Sequence, residues 1–202
     1  MYFFTDKFIH FLVGLAVGVG FWQLLERYAR GGLQRINPIW FLLMLIWGAS
    51  GLFFFRKLHI PVLSNDFFYM AVPDWDIPLY NWTRLRFLIH RSWAFHSVLL
   101  PIGLIIISLW GMYRNTTPSP YWQSLRDAAL GLCVGMSAHL IWDALLSSTK
   151  SGFTIFGWNQ SGSLAWLALN LILGLGVPFG VIWAMDSPAF GKIKTNESRT
   201  TE

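Results

Sequence analysis

Long apolar segments, separated by short charged or turn-forming stretches, are the feature that most limits how this chain of 202 residues can fold. A helix crosses the hydrocarbon core of a bilayer with roughly 17–25 mostly apolar residues. Five segments meet that requirement, and they cover residues 8–25, 38–55, 92–113, 127–146 and 164–185. Hydrophobic residues make up 54% of the chain and charged residues only 12%. The sequence therefore predicts an all-α fold, an integral membrane bundle of about five transmembrane helices.

The rest of the composition limits the domain count and the partners. Residues 1–190 are predicted to form a single transmembrane domain, and residues 191–202 a disordered polar tail. Cys133 is the one cysteine, so no intramolecular disulfide can form. The net charge of +5 comes from basic residues scattered across loops, where they anchor helix ends. We therefore expect a multi-pass protein of the bacterial plasma membrane that contacts the lipid bilayer, and we expect no nucleic-acid partner.

The connection before the third segment concentrates ionisable residues. From Val72 to Pro101 the chain reads VPDWDIPLYNWTRLRFLIHRSWAFHSVLLP, and it holds two aspartates and two histidines: Asp74, Asp76, His90 and His96. Ionisable side chains at membrane depth are costly and usually mark a site or a pathway. The sequence therefore predicts a site-bearing loop before the third helix.

Threading the five segments through a membrane places these residues on one face, called side A here. If the N-terminus lies on side A, the connection before the third segment and the end of the fourth segment also reach side A. The early histidine His10 lies on the same side. The candidate metal ligands that converge there are Asp74, Asp76, His90, His96, His139 and Asp143. On the opposite face, side B, the basic residues lie in short loops and the tail, which favours side B in the cytoplasm.

Spacing alone does not decide whether the aspartates bind a metal ion. His139 and Asp143 are four residues apart, so a helix places them on one face. There they are either metal ligands or a hydrogen-bonded pair in a bundle core. Asp74 and Asp76 point to opposite sides in an extended segment and converge in a turn, and such a pair in a loop is often simply solvated.

Residues around His96 have similar alternatives. His90 and His96 are six residues apart, about 240° around a helix, so one regular helix cannot aim both at a single site. Arg91, a candidate catalytic residue, either orients an anionic group such as a phosphate through its planar fork or snorkels to water. Ser97 bonds a ligand or a neighbouring backbone group. His10 is either a ligand or an interfacial histidine.

Histidine and carboxylate side chains without thiolates suit a divalent metal ion such as zinc, manganese or iron. Such an ion activates water and polarises an ester or phosphoryl oxygen. The sequence therefore favours a metal-dependent hydrolase acting on a membrane-associated, lipid-like ester or phosphoester, with Asp76 as general base. Two alternatives stay open. One is a non-enzymatic membrane protein with a structural metal or polar network, and the other is a b-type haem protein that uses His96 and His139.

The order of three motifs resembles a known family. The chain reads ProAspTrpAsp at residues 73–76, HisArgSerTrpAlaPheHisSer at 90–97 and GlyMetSerAlaHisLeuIleTrpAsp at 135–143. These look like the Pro-Asp-x-Asp, His-Arg-Gly-x-Thr-His-Ser and His-x-x-x-Asp motifs of the membrane-bound metal-dependent hydrolases, which are multi-pass bacterial proteins. The resemblance covers residues 72–158 and reaches back to His10. It implies that the six candidate ligands hold the metal and that Arg91 and Ser97 support them.

Two features depart from the pattern of that family. Five residues separate His90 from His96, where the commoner spacing is shorter by one residue, and Ser92 replaces a glycine. Pro78 follows Ile77, so the histidine that often comes directly after the second aspartate is absent. The resemblance therefore implies one ligand fewer than the common pattern.

Small residues in the fourth segment predict close helix packing. Gly131 and Gly135 are four residues apart, a spacing that brings both to one face of a helix and lets another helix approach closely. We expect both glycines to face a neighbouring helix.

Overall fold

The chain folds into helices joined by turns. A computed structural model describes residues 2–53, 66–89, 91–114, 119–148 and 153–186, and within these ranges the chain forms no strand. The helices are α1 (Tyr2–Tyr28), α2 (Arg30–Leu33), α3 (Pro38–Ser50), α4 (Asp66–Tyr69), α5 (Asp76–Thr83), α6 (Leu99–Arg114), α7 (Pro120–Ser148) and α8 (Gln160–Asp186). Two 3-10 turns, Val72–Trp75 and Arg86–Leu88, flank α5. The predicted all-α class is confirmed, and the predicted polar tail lies outside the described residues.

Three of these helices are long and apolar enough to cross a membrane, over Thr5–Tyr28, Pro120–Leu146 and Gln160–Asp186. Two shorter apolar helices, α3 with 13 residues and α6 with 16, coincide with the second and third predicted segments. These two are shorter than predicted. Gly51 ends α3 with a φ of 74°, a left-handed conformation that favours glycine. The third segment was expected from Ser92, but α6 begins at Leu99.

Helix α7 lies at the centre of the bundle and packs directly against the backbone of α3. A Cβ added at Gly131 would overlap the carbonyl oxygen of Phe41, and one added at Gly135 would overlap that of Leu45. The two backbones therefore approach to a distance that a larger side chain would not allow. The prediction that both glycines face a neighbouring helix is confirmed.

The contacts between α3 and α7 keep one register over several turns. At one end, the backbone N–H of Asn37 donates to Oδ2 of Asp127 at 2.9 Å. At the other end, the backbone carbonyl of Ala49 accepts from Nδ1 of His139, also at 2.9 Å. Both pairs are 90 residues apart in sequence, so the two helices run parallel. The close approach at the glycines thus fixes the position of His139 relative to the end of α3.

Helix α1 packs against both α3 and α7 and runs antiparallel to α3. A Cβ added at Gly14 would lie 2.6 Å from Cβ of Ala49, and one added at Gly18 would lie 2.7 Å from Cδ1 of Leu45. Small residues on both helices therefore bring α1 close to α3. His10, one turn before Gly14, consequently lies at the end of α3 near α7.

The turn that precedes α6 is fixed by α8. The first N–H groups of a helix have no partner within the helix. The backbone N–H of Val98 donates instead to Oδ1 of Asn170, at 2.7 Å, and Asn170 is itself buried in α8. Its Nδ2 donates to the carbonyl of Trp166 at 2.8 Å, which holds the amide in this orientation. This contact anchors the turn that carries His96 against the bundle.

Candidate metal centre

Three parts of the chain bring histidines and carboxylates into one buried cluster: the start of α1, the segment before α6, and the last third of α7. Each of these residues has an exposed fraction of 7% or less, and the cluster consists of His10, Asp74, Asp76, His96, His139 and Asp143. Lys7, which is 4% exposed, lies beside them. Buried charges and imidazoles are retained in proteins when they are paired or bind metal ions.

Of the two ring nitrogens of His139, only Nδ1 has a hydrogen-bond partner among the described residues. Its Nδ1 must carry a hydrogen, because it donates to the carbonyl of Ala49 at 2.9 Å. In the neutral ring, Nε2 then carries a lone pair, and this buried atom has no hydrogen-bond partner among the described residues. The nearest carboxylate oxygens, Oδ1 of Asp74 and Oδ2 of Asp143, are each 3.6 Å away. Acceptors that face one another in a buried space are stabilised by a positive charge between them, either a proton on Nε2 or a metal ion.

His10 repeats this arrangement from the other side. Its Nδ1 lies 3.0 Å from the backbone carbonyl of Asp6, one turn earlier in α1. A donating Nδ1 leaves Nε2 directed at Oδ1 of Asp143, 3.4 Å away. The rings of His10 and His139 lie face to face at an angle, with centroids 4.4 Å apart. A backbone carbonyl on the far nitrogen is the usual way in which proteins fix the tautomer and the orientation of a metal-binding histidine.

His96 is held by a carboxylate instead of a carbonyl. Its Nδ1 lies 3.3 Å from Oδ2 of Asp76, and its Nε2 lies 3.4 Å from Oδ2 of Asp143. The same Oδ2 of Asp76 accepts the backbone N–H of Ser92 at 3.1 Å. Asp76 therefore lies on the side of His96 that is turned away from Asp143. This is the position of the outer carboxylate in carboxylate–histidine–metal arrangements.

The separations within the cluster correspond to those between ligands around an ion. Four nitrogen–oxygen distances that involve Asp143 or Asp74 lie between 3.4 and 3.6 Å. These are long for direct hydrogen bonds. A tetrahedral zinc site with bonds of about 2.0–2.1 Å has ligand–ligand edges of roughly 3.3–3.4 Å. An octahedral magnesium site with bonds of about 2.1 Å has shorter edges of roughly 3.0 Å. These four separations are therefore closer to the edge of a tetrahedral zinc site than to that of an octahedral magnesium site.

Two overlapping triads could each hold an ion: His10, His139 and Asp143, and Asp74, His96 and His139. Within each triad the ligand atoms lie within 4.8 Å of one another. Both triads use His139. Asp74 also forms a short ion pair through Oδ2 with Nζ of Lys7. Its two oxygens thus point in different directions, Oδ1 towards His139 and Oδ2 towards the lysine.

Two charged members of the cluster, Asp74 and His96, lie outside the helices that could span a membrane, and their neighbours shift the pKa of each. Burial raises the pKa of Asp74, but His139 and Lys7 beside it outweigh burial and bring that pKa well below its usual value. Burial lowers the pKa of His96, but the carboxylates of Asp143 and Asp76 outweigh it and raise the pKa to about 9. In the metal-free protein, His96 therefore carries a proton at neutral pH, and an ion that binds Nε2 must displace a proton.

Most of the residues predicted from the sequence meet in this cluster, namely Asp74, Asp76, His96, His139 and Asp143. His90 lies outside the described residues. Arg91 has a φ of 65°, and its guanidinium lies 5.9 Å from the ring centroid of Phe153, between α7 and α8. Ser97 is buried, and its hydroxyl donates to the carbonyl of Ala94 at 2.9 Å.

Sequence reasoning left two members of the cluster out of the ligand set, His10 and Lys7. The sequence leaves His10 open as a ligand or an interfacial histidine, and it assigns no role to Lys7. A signal was present in the sequence. Lys7 and His10 are three residues apart, so they share one face of α1, and that face continues with Gly14 and Gly18. A polar pair followed by small residues on one helical face indicates a buried face that reaches a site.

Comparisons with known proteins do not identify the chain. No family model, no curated protein and no solved structure matches the chain.

Proposed function

We propose that this chain is a multi-pass protein of the bacterial plasma membrane and a metal-dependent hydrolase acting on a membrane-associated ester or phosphoester. The observation that carries the proposal is the buried Nε2 of His139. It has no hydrogen-bond partner among the described residues and faces oxygens of Asp74 and Asp143 at 3.6 Å. The resemblance of the three motifs to the membrane-bound metal-dependent hydrolases supports the same function.

The cluster divides into side chains that would hold the ion and side chains that orient them. The candidate ligands are three imidazole nitrogens and two carboxylates, which form two overlapping triads: His10, His139 and Asp143, and Asp74, His96 and His139. Asp76 orients His96 through Nδ1, and the peptide N–H of Ser92 holds Asp76 in turn. The role of general base, predicted for Asp76 from the sequence, stays a prediction.

When bound, the ion supplies a Lewis acid that activates water and polarises an ester or phosphoryl oxygen. The chain's own contribution is a buried setting in which each histidine ligand is held through its other ring nitrogen. The carbonyls of Ala49 and Asp6 fix His139 and His10, and the carboxylate of Asp76 fixes His96. Ligands fixed in this way need no rearrangement when substrate arrives. Arg91 is the proposed partner for an anionic substrate group.

A membrane-associated substrate suits the surroundings of the cluster. On α1, Lys7 and His10 are buried, whereas Phe8 and Leu12, on the other face of the same turns, are 45% and 47% exposed. Trp93, close to His96 in sequence, is 46% exposed. Exposed tryptophans are typical of the level where the bilayer meets water. The cluster would therefore lie near the headgroup level, where ester and phosphoester bonds of lipids are found.

Two alternatives are distinguished by the same geometry. A polar network without metal has one feature in its favour, the buried ion pair between Lys7 and Asp74. That pair leaves the carboxylate of Asp143 surrounded by imidazoles and does not satisfy Nε2 of His139. For haem between His96 and His139, Oδ2 of Asp143 lies within 3.6 Å of both Nε2 atoms, where a porphyrin would have to lie. The cluster therefore favours a bare ion.

Elemental analysis of the protein purified in mild detergent tests the metal site. We expect a divalent transition metal in the wild-type protein and strong loss of it in His139→Ala and His96→Ala, because each removes a ligand. Cys133→Ala is the matched control, since Cys133 is buried in the same helix outside the cluster. Unchanged metal content in both histidine variants would contradict the site. A Soret band would indicate haem instead.

Hydrolysis of generic esters and phosphoesters by metal-loaded protein tests the activity. We expect turnover that a chelator abolishes and that zinc or manganese restores, and we expect none in His139→Ala. A protein that binds metal at full occupancy and hydrolyses no member of either substrate class would be assigned a structural metal site.

A further inference from the structure

Lys7, the buried lysine of α1, lies in this cluster although an ammonium group is not a metal ligand. Lys7 is 4% exposed, and its Nζ forms an ion pair with Oδ2 of Asp74, while Oδ1 of the same carboxylate faces His139. In dinuclear metal sites a carboxylate commonly bridges two cations. Here Oδ1 of Asp74 faces a ligand nitrogen of His139, and Oδ2 faces the ammonium group of Lys7.

We propose that Lys7 takes the place of a second metal ion and makes this centre mononuclear. The inference rests on the proposed metal site, and it goes further by assigning the number of ions and the residue that sets it. Lys7 would act as a specificity-determining residue: a fixed cation that excludes a dinuclear centre.

The chemistry of His139 limits how two ions could share the cluster. The two triads that could hold an ion share this one side chain. Because Nδ1 donates to the carbonyl of Ala49, Nε2 offers the only lone pair of the ring. One lone pair serves one ion. If the first ion takes His139 together with His10 and Oδ1 of Asp143, a second ion still has Asp74, His96 and Oδ2 of Asp143, which lies 3.4 Å from Nε2 of His96. Three protein ligands are enough for a zinc ion, so the ligands alone do not exclude a second ion, and the positive charge of Lys7 is what would exclude it.

Charge limits the number of divalent ions to one. Among the described residues of the cluster, three carboxylates are buried: Asp74, Asp76 and Asp143. With the ammonium of Lys7 they leave two negative charges, which one divalent ion neutralises when the imidazoles are neutral. A second divalent ion would leave two positive charges in a buried space, at high desolvation cost. Asp6 adds a carboxylate at the rim, but its side chain is 39% exposed and therefore screened by solvent.

Zinc stoichiometry tests this inference in the full chain in detergent, saturated with zinc and then freed of loosely bound ions. We expect one zinc ion per wild-type chain and one in Lys7→Arg, which keeps the positive charge. We expect two in Lys7→Ala, where the ammonium is gone, space is opened and Oδ2 of Asp74 is available. A residue with a merely structural role would lower zinc content on removal and would not raise it.

A second readout is the electron paramagnetic resonance of manganese-loaded protein. We expect the signal of isolated Mn²⁺ in the wild type and an exchange-coupled pair in Lys7→Ala. If Lys7→Ala does not fold, Lys7→Ser, which is also small and neutral, takes its place, and the wild-type stoichiometry still bears on the proposal.

The outcomes separate this inference from the proposed function. A wild-type chain that binds no zinc overturns the metal site itself. Two zinc ions in the wild-type chain, or one in a folded Lys7→Ala chain, overturn only the role assigned to Lys7.

Discussion

Nδ1 of His139 in α7 donates to the backbone carbonyl of Ala49 in α3 across 2.9 Å, and this bond continues the register by which the two helices pack. One turn and two turns earlier on α7 lie Gly135 and Gly131, against the carbonyls of Leu45 and Phe41. The face of α7 that permits close packing therefore leads directly to a ligand. Because of this continuity, helix packing and the orientation of His139 depend on the same few residues.

Gly135→Ala should reduce both stability and bound metal. The new Cβ would overlap the carbonyl oxygen of Leu45, so α3 must move away from α7. Overpacking of this kind costs about 1–3 kcal/mol. The same movement withdraws the carbonyl of Ala49 from His139. Thermal unfolding in detergent and metal analysis of the folded fraction measure the two effects.

The matched control for that substitution is Gly176→Ala in α8, where an added Cβ would meet nothing within 4 Å. Alanine is favoured over glycine inside a helix by about 1 kcal/mol. This variant should therefore be as stable as the wild type or more so, with full metal content. Equal behaviour of Gly135→Ala and Gly176→Ala would show that the contact between α3 and α7 does not constrain the site.

The sequence predicted the helices from apolar runs and the cluster from threading, because both depend on features that are local or topological. The alternation of apolar segments and loops is enough to bring Asp74, His96 and Asp143 to one face. It does not reveal which helices pack at the shortest distance, such as the crossing of α1 over α3. That crossing depends on the contact of Gly14 with Ala49, and such contacts between distant segments leave little trace in either segment alone.

The boundaries of the shorter helices were also beyond sequence reasoning. Hydropathy alone continues the second segment to residue 55, whereas the backbone conformation of Gly51 ends α3 at Ser50. Hydropathy likewise starts the third segment at Ser92, but α6 begins only at Leu99, after a turn held by Asn170. In both places a specific backbone or side-chain contact overrides the apolar pattern.

The affinity for metal should rise with pH until about pH 9. The carboxylates around His96 raise its pKa from the usual 6.5 to about 9, so below that pH a metal ion competes with a proton for Nε2. Because the metal ion displaces one proton, its apparent affinity should rise about tenfold for each pH unit below pH 9. A zinc competition titration with a chelator at pH 7, 8 and 9 measures the slope, which should flatten above pH 9.

The same proton stabilises the metal-free fold, with the opposite dependence on pH. A histidine whose pKa is higher in the folded state than in the unfolded state contributes stability that is fully present below pH 6.5. This contribution is lost as pH rises towards 9. Metal-free protein should therefore unfold at lower temperature at pH 9 than at pH 6. A melting temperature that does not change between these values in wild type, while it falls in His96→Gln, would contradict this assignment.

Asp127→Ala should destabilise the bundle without emptying the site. Asp127 is buried, and it accepts from Arg126 at 2.8 Å and from the peptide N–H of Asn37 at 2.9 Å. Removal of one partner of a buried charge pair costs about 3–5 kcal/mol. His139 lies 12 residues further along α7, about 18 Å at the rise of an α-helix. The metal content per folded chain should consequently stay at the wild-type level.

Glu26→Gln is the control for that prediction. Glu26 is an exposed carboxylate in α1 that accepts from Nε1 of Trp22 at 3.1 Å, and an amide oxygen accepts equally well. Exposed substitutions of this kind change stability by less than about 0.5 kcal/mol. Loss of metal in folded Asp127→Ala would mean that the register between α3 and α7 transmits strain along the whole helix.

Cysteine labelling in intact cells tests whether the chain crosses the membrane with the site on the outer face. The native Cys133 is buried and is removed as Cys133→Ala. In that background, Asn81→Cys lies in an exposed position at the end of α5, and Tyr113→Cys lies at the end of α6, where the native side chain is 84% exposed. Because α6 separates the two positions, we expect an impermeant thiol reagent to label Asn81→Cys and to spare Tyr113→Cys until the membrane is permeabilised. The reverse pattern would place the site on the cytoplasmic face and change the plausible substrates to those of the inner leaflet. Labelling of both positions from outside would show that α6 does not cross the bilayer.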